Sequence, residues 1–107
     1  MPDSEKSPVE VTHQPGETRF EARVDGVFAG ASYYRYRGGR MVLLHTEVQP
    51  EFEGRGVGSR LTKLALETAR HDDEMVVPLC PFVETYIERH EEYADLLDEE
   101  MFHQMRS

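Results

Sequence analysis

Polar and apolar residues alternate with period two through the first half of the chain, and the period lengthens in the second half. In Arg19–Val24, Phe20, Ala22 and Val24 alternate with Arg19, Glu21 and Arg23, the pattern of a half-buried strand. Asp25-Gly26 reads as a two-residue hairpin turn. Val27–Arg37 is the partner strand, with Tyr33, Tyr34 and Tyr36 favouring extended backbone. Gly38-Gly39 closes a second hairpin into a third strand, Arg40–Val48. On a regular strand Met41, Leu43, His45 and Glu47 share one face, and Val42, Leu44, Thr46 and Val48 share the other. Residues 49–56 read as a loop. From Val57 to about His71 the spacing is helical, with Val57, Leu61, Leu64, Ala65 and Thr68 on one face. Asp72-Asp73-Glu74 ends that helix, and residues 75–79 form a short apolar strand. Pro81 suits the first turn of a helix over about 82–90. A last helical segment over about 93–105 carries Leu97, Met101 and Met105 at four-residue spacing.

The strand–loop–helix–strand order over residues 43–79 is a βαβ unit, whose two strands should be parallel. The expected class is therefore α+β, an antiparallel meander leading into a βαβ unit. Residues 1–8 are polar with two prolines and read as a frayed arm. Residues 9–12 have room for a short edge strand, and Pro15 and Gly16 mark a turn over 13–17. The expected division is an N-terminal arm, residues 1–12, and one domain, residues 13–107.

Composition narrows the function. At 107 residues the chain can bury one modest core. Lys plus Arg is 12 against 21 Asp plus Glu, a net charge of -9, which argues against nucleic acid as a partner. The same charge suits a basic or amine-bearing partner. The single cysteine, Cys80, excludes an internal disulfide and a multi-cysteine zinc site. No apolar run approaches the length of a membrane span, and the first residues do not read as a signal peptide. A cytoplasmic protein without a membrane partner is expected.

Chemistry concentrates at Glu53-Gly54-Arg55-Gly56-Val57-Gly58-Ser59, where alternating glycines leave a strand and open a helix. Glycines let backbone approach a ligand closely, and a helix start offers unpaired N–H groups and partial positive charge. Together they suit a pyrophosphate; the alternative is a mere glycine-rich connection. A P-loop is excluded because Ser59-Arg60, not Lys-Ser/Thr, follows Gly58. A dinucleotide fingerprint wants its third glycine at Ser59 and a second mononucleotide half that the chain is too short to hold.

Val48 through Leu61 resembles the acyl-CoA-binding motif of the GNAT superfamily of N-acyltransferases. With His45-Thr46-Glu47-Val48, Val77-Pro78-Leu79-Cys80-Pro81-Phe82-Val83, Tyr86-Ile87 and residues 90–93, the chain is similar to a short, single-domain branch of that superfamily. The resemblance implies a minimal GNAT-like fold with splayed parallel strands ending at Val48 and Leu79, and acetyl-CoA (coenzyme A) as cofactor. It implies that the Val48 N–H polarises the thioester carbonyl, with Glu47 beside it. It also implies that Glu53, Gly54, Arg55, Gly56, Val57, Gly58 and Ser59 surround the pyrophosphate. Glu53 departs from the Gln or Arg usual at that position, and a carboxylate repels phosphate, so either Glu53 points away, or Arg55 and Arg60 compensate, or the affinity is weak.

Three side chains are candidates for catalysis. Cys80 ends a strand before Pro81, where the helix field and the N–H groups of Phe82 and Val83 favour a thiolate. It can carry the acetyl group, relay a proton, or simply pack as a small hydrophobe. His45 can take a proton from the incoming amine or from Cys80, with Glu47 orienting it or attracting a cationic acceptor; otherwise it is a hydrogen-bonded strand histidine. Tyr86 lies near where superfamily enzymes carry a tyrosine that protonates the departing thiolate, or it is a packed aromatic. His13, His71 and His103 have no metal-ligand spacing.

Three functions remain open on this reading: N-acetyl transfer from acetyl-CoA to a small-molecule or protein amine, an acyl-CoA-binding module with little turnover, and an interaction protein. Larger superfamily members continue with two further strands that help build the acceptor pocket. The acceptor side here is then shallow or completed by a partner, and a monomer or weak homodimer is expected.

Overall fold

In the computed structural model, which describes residues 7–107, the elements run β1 (Glu10–Gln14), β2 (Arg19–Val24), β3 (Val27–Arg37), β4 (Arg40–Val48), α1 (Val57–His71), β5 (Met75–Pro78), α2 (Pro81–Arg89) and α3 (Glu99–Arg106). The strands form one sheet in the order β1-β2-β3-β4-β5, antiparallel up to β4 and parallel between β4 and β5. This is the expected α+β meander leading into a βαβ unit. Among the described residues no helix is long and apolar enough to cross a membrane.

The short edge strand for which residues 9–12 have room is present as β1. Residues 10–12, assigned to the arm, pair with β2, and Val9 is buried in the core. The arm's residues 1–6 lie outside the described residues. β1 also runs on through His13 and Gln14, into the expected turn. The His13 ring stacks on Phe20 at 4.4 Å and its Nε2 lies 2.5 Å from the Tyr34 hydroxyl. A short 3-10 turn, Pro15–Glu17, then reverses the chain.

α1 packs on the sheet face formed by Phe20, Ala22, Tyr34, Met41 and Leu43. Its buried residues are Val57, Gly58, Leu61, Thr62, Ala65, Leu66 and Ala69. That stripe is broader than the predicted one, and it admits Leu66 and Ala69 while Leu64 and Thr68 stay half-buried. The reason is that α1 is also covered by α2 and the segment after it.

The last predicted helix is interrupted. Residues 91–96 form a 3-10 turn, Leu97 is extended and bridges Val76 on the outer edge of β5, and Asp98 N–H donates to the Val76 carbonyl at 2.9 Å. Asp98 then caps α3 through Met101 N–H at 3.0 Å and accepts from Arg40 Nε at 2.6 Å. Pairing of an otherwise exposed strand edge overrides the helical spacing.

Candidate active site

β4 changes character along its length. Residues 40–43 pair with β5 in parallel, and the last backbone contact is Cys80 N–H to the Leu43 carbonyl at 3.0 Å. Beyond Leu43 the two strands separate. On its other edge β4 stays paired with β3 to Val48, and Gln49 N–H donates to the Ala29 carbonyl at 2.8 Å. Antiparallel ladders alternate bonded and non-bonded pairs. With Gln49 bonded to Ala29, the Val48–Gly30 pair is non-bonded, and the Val48 N–H points to the other edge, into the gap left by β5. Gly30 makes this approach possible, because a Cβ there would sit 2.5 Å from the Glu47 carbonyl oxygen.

The glycine loop opens beside this gap. Gly54 and Gly56 hold φ of 83° and 77°, a region that penalises other residues. Gly56 is the N-cap of α1 and brings no capping side chain, so the first-turn N–H groups have no side-chain partner. A cleft of about 330 Å³ is lined by Val48, Phe52, Glu53, Gly54, Gly56, Val57, Gly58, Ser59 and Phe82. A second cleft of about 470 Å³ lies along α2, lined by Ser59, Pro81, Phe82, Thr85, Tyr86, Arg89 and His90. Ser59 and Phe82 belong to both clefts, and a Cβ on Gly58 would lie 2.9 Å from the Phe82 ring. The Val57 side chain packs into the core, leaving only its backbone for a ligand.

Cationic compensation for Glu53, one of the alternatives the sequence leaves open, is absent from the loop cleft. Arg55 Nη2 donates instead to the Ser7 carbonyl at 2.7 Å, and Arg60 lines a separate groove with Val11, Lys63, Leu64 and Glu67. Backbone N–H groups and the Ser59 hydroxyl are thus the donors this cleft offers an anion.

The catalytic candidates are not brought together. β4 has a bulge, with Tyr33 opposite His45 and Tyr34 opposite Leu43. The extra residue, Leu44, breaks strict alternation. Met41 and Leu43 therefore share the α1 face with Thr46, while His45 and Glu47 fall on the opposite face, correcting the predicted sharing. His45 is exposed, and its ring lies parallel to Tyr33 at 6.2 Å. Glu47 is half-buried on the same row of the sheet as Ala31 and Glu21. Cys80 sits on the α1 face and is 4% exposed, so the sheet separates it from His45. It occupies the α2 N-cap as expected, but makes no capping bond. Its Sγ donates to Thr46 Oγ1 at 3.4 Å, and Thr46 Oγ1 lies 3.3 Å from Ser32 Oγ.

Tyr86 lines the α2 cleft. Its ring stacks on His90 at 3.9 Å, and His90 Nδ1 lies 2.8 Å from the Tyr86 carbonyl oxygen. Burial, with the charges of Glu92 and Glu67 behind it, pushes the phenol above its ordinary value. Sequence reasoning gave Thr46, Phe82 and His90 as part of the resemblance without a side-chain role, and did not single out Ser32. The Tyr86–His90 spacing of four on a helix was the one legible signal among these. Among the described residues no group of three His, Cys, Asp or Glu side chains can hold a metal ion.

Known proteins resemble this chain in sequence and fold. The family model of the GCN5-related N-acetyltransferases matches residues 19–96. The protein NATD1 of Gallus gallus is 33% identical over 82 residues, which is 75% of this chain and 74% of that one; the figures for NATD1 of Mus musculus are the same. The NMR solution structure of a GCN5-like protein from Staphylococcus aureus superposes with a TM-score of 0.65 at 26% identity, covering 82% of this chain and 86% of that one. The match spans the splayed strands, the glycine loop and the Cys80 turn alike, and the chain belongs to the GCN5-related N-acetyltransferase family.

Proposed function

We propose that the chain transfers an acetyl group from acetyl-CoA to a primary amine. The observation that carries this reading is the open half of β4, where the Val48 N–H faces a gap beside a glycine loop and an uncapped helix start. The residues present fit the cofactor: Gly54, Gly56 and the first-turn N–H groups of α1 cradle its pyrophosphate. Acetyl-CoA supplies an activated thioester carbon. Val48 N–H polarises a carbonyl oxygen placed in the gap, a contact worth about 3 kcal/mol where water is excluded. On the opposite face Glu47 attracts a cationic amine and exposed His45 takes its proton. Tyr86 walls the second cleft, and its phenol, kept protonated by burial, can give its proton to the leaving thiolate. The transfer is direct, because Cys80 is buried, lines neither cleft and has no base beside it.

The test is a calorimetric titration with acetyl-CoA, with NAD and ATP as controls, followed by a screen of polyamines and lysine peptides for release of free CoA thiol. Binding of acetyl-CoA alone and turnover of an amine are expected. No binding at millimolar ligand contradicts the proposal. A Tyr86→Phe variant should lose about ten- to a hundredfold in turnover with acetyl-CoA affinity retained, and Cys80→Ala should keep turnover near that of wild type. Intact-mass spectra of wild type should show no acetyl adduct, and an adduct on Cys80 would replace direct transfer by a two-step route. One observation favours a second reading, an acyl-CoA-binding module without turnover: Glu53 lines the loop cleft and no cationic side chain does. Binding without turnover of any amine in the screen selects it.

A further inference from the structure

The sheet face opposite α1 differs in charge from the rest of the molecule. Residues 57–107 hold twelve acids against five Lys or Arg, whereas residues 19–48 hold five arginines against three acids. β3 alternates regularly from Gly30 to Arg37. Ser32 and Tyr34 are buried on the α1 side, so Ala31, Tyr33, Arg35 and Arg37 belong to the opposite face. Three of the five arginines are already committed. Arg19 and Arg23 both bind the buried Glu21 carboxylate, and Arg40 binds Asp98. Arg35 and Arg37 are exposed, and among the described residues their guanidinium groups have no ion-pair partner.

These two cations lie in line with the residues assigned to the amine. Ala31 is the cross-strand partner of Glu47, Tyr33 is that of His45, and Arg35 follows two residues further along β3. At about 3.3 Å per residue, Arg35 stands about 13 Å from Glu47 along the strand direction. The parallel rings of Tyr33 and His45 lie between them. α3 packs against β5, the strand at the far edge of the sheet, and leaves this path to solvent.

We propose that the acceptor amine is carried by an acidic peptide, whose carboxylates, three to five residues from the amine, are held by Arg35 and Arg37. The proposal rests on the reading of Glu47 and His45 as the acceptor side of an acetyltransferase. An extended peptide also advances about 3.3 Å per residue, so with its amine at Glu47 those side chains come within reach of the two guanidinium groups. An arginine fork matches a carboxylate with two parallel hydrogen bonds. Glu47 repels the acidic end and attracts the amine, which fixes the direction of the peptide. The net charge of -9 repels an acidic peptide elsewhere, so the patch selects the docking face as much as it adds affinity. Exposed ion pairs are weak singly and screened by salt, so the effect needs both arginines and fades as salt rises.

Two peptides of equal length with free N-terminal amines test this, one with glutamates at its third to fifth positions and one with lysines there. Turnover with acetyl-CoA, and binding followed by backbone amide shifts without it, are measured on wild type and on the double variant Arg35→Glu, Arg37→Glu. Wild type should favour the acidic peptide about tenfold in kcat/KM at low salt and about threefold at physiological salt, and the variant should favour the basic one. Amides of Tyr33, Arg35 and Arg37 should shift saturably with the acidic peptide alone. A wild type that treats the peptides alike or favours the basic one overturns the proposal. So does a variant that keeps the acidic preference, or a wild type that binds neither peptide at millimolar concentration. If the double variant does not fold, Arg35→Gln decides: an undiminished acidic preference overturns the proposal. Acidic peptide docking on β3 with no turnover of any amine would uphold the docking surface and overturn the acetyltransferase reading instead, so the two failures are distinct.

Discussion

Over residues 40–43, β4 is paired on both edges, with residues 34–37 of β3 on one side and β5 on the other. Met41, Val42 and Leu43 are all buried there, and Arg40 is tied to Asp98 across the outer edge of β5. Over residues 46–48 the same strand is paired on one edge only, its side chains are half-buried, and its free edge faces the clefts. One half spends its backbone groups on the sheet; the other leaves an N–H unpaired beside the glycine loop. An unpaired strand edge is normally a liability. Here it is short, and the well-paired half and the Leu44 bulge fix where it begins. Stability and chemistry thus reside in different segments of one strand, and substitutions should separate them.

The largest effect belongs to the paired half. Leu43→Ala should cost about 2–5 kcal/mol of stability, read as a fall in melting temperature of roughly 10 °C or more. Val48→Ala, in the open half, should cost about 1 kcal/mol or less in the same melting experiment. Equal losses at both sites would erase the distinction between the halves. Next comes the loop beside the open half. Gly56→Ala strains a residue at φ 77°, costing about 1 kcal/mol of stability, and should weaken acetyl-CoA about tenfold by calorimetry. A variant that binds as wild type does would remove the loop from the site.

Smaller effects sharpen the same contrast through charge. Glu53→Arg should tighten acetyl-CoA about threefold at low salt and less at physiological salt, because exposed charges are screened. Equal or weaker calorimetric binding would count against a phosphate at Glu53. At the paired end, the hydrogen bond from Arg40, then that from Met101 N–H, holds the Asp98 carboxyl below its ordinary value. A depressed carboxyl adds stability that is complete above the unfolded-state value and is lost as pH falls through the folded one. Melting temperature should therefore drop on acidification below about pH 4, and Asp98→Asn should flatten that dependence. An Asp98→Asn protein with the full acid sensitivity of wild type would place the loss elsewhere.

Local pattern made much of this molecule legible. Alternation in β2, the turn pairs at 25–26 and 38–39, and the bounds of α1 follow from residues near one another in sequence. So does the glycine loop, whose composition states its backbone geometry. What stayed hidden depends on contacts across the fold. The apolar run Met41-Val42-Leu43-Leu44 masks the bulge, since no alternation survives there to be interrupted. Without the bulge, His45 reads as the partner of Cys80 and Thr46 does not. Leu97 leaves its helical spacing to meet Val76, twenty-one positions earlier. Arg55 reads as a phosphate ligand in sequence, yet its guanidinium is bonded to the Ser7 carbonyl, forty-eight positions away.

The central claim is that the open half of β4 and the glycine loop together take an acyl-CoA. An acetyl-CoA titration followed by backbone amide shifts tests it residue by residue. The account predicts that Val48, Gly54, Gly56, Gly58 and Ser59 shift together and saturably, while Met41 and Val42 hold still. Shifts confined to surface charges, or no shifts at millimolar acetyl-CoA, would contradict it.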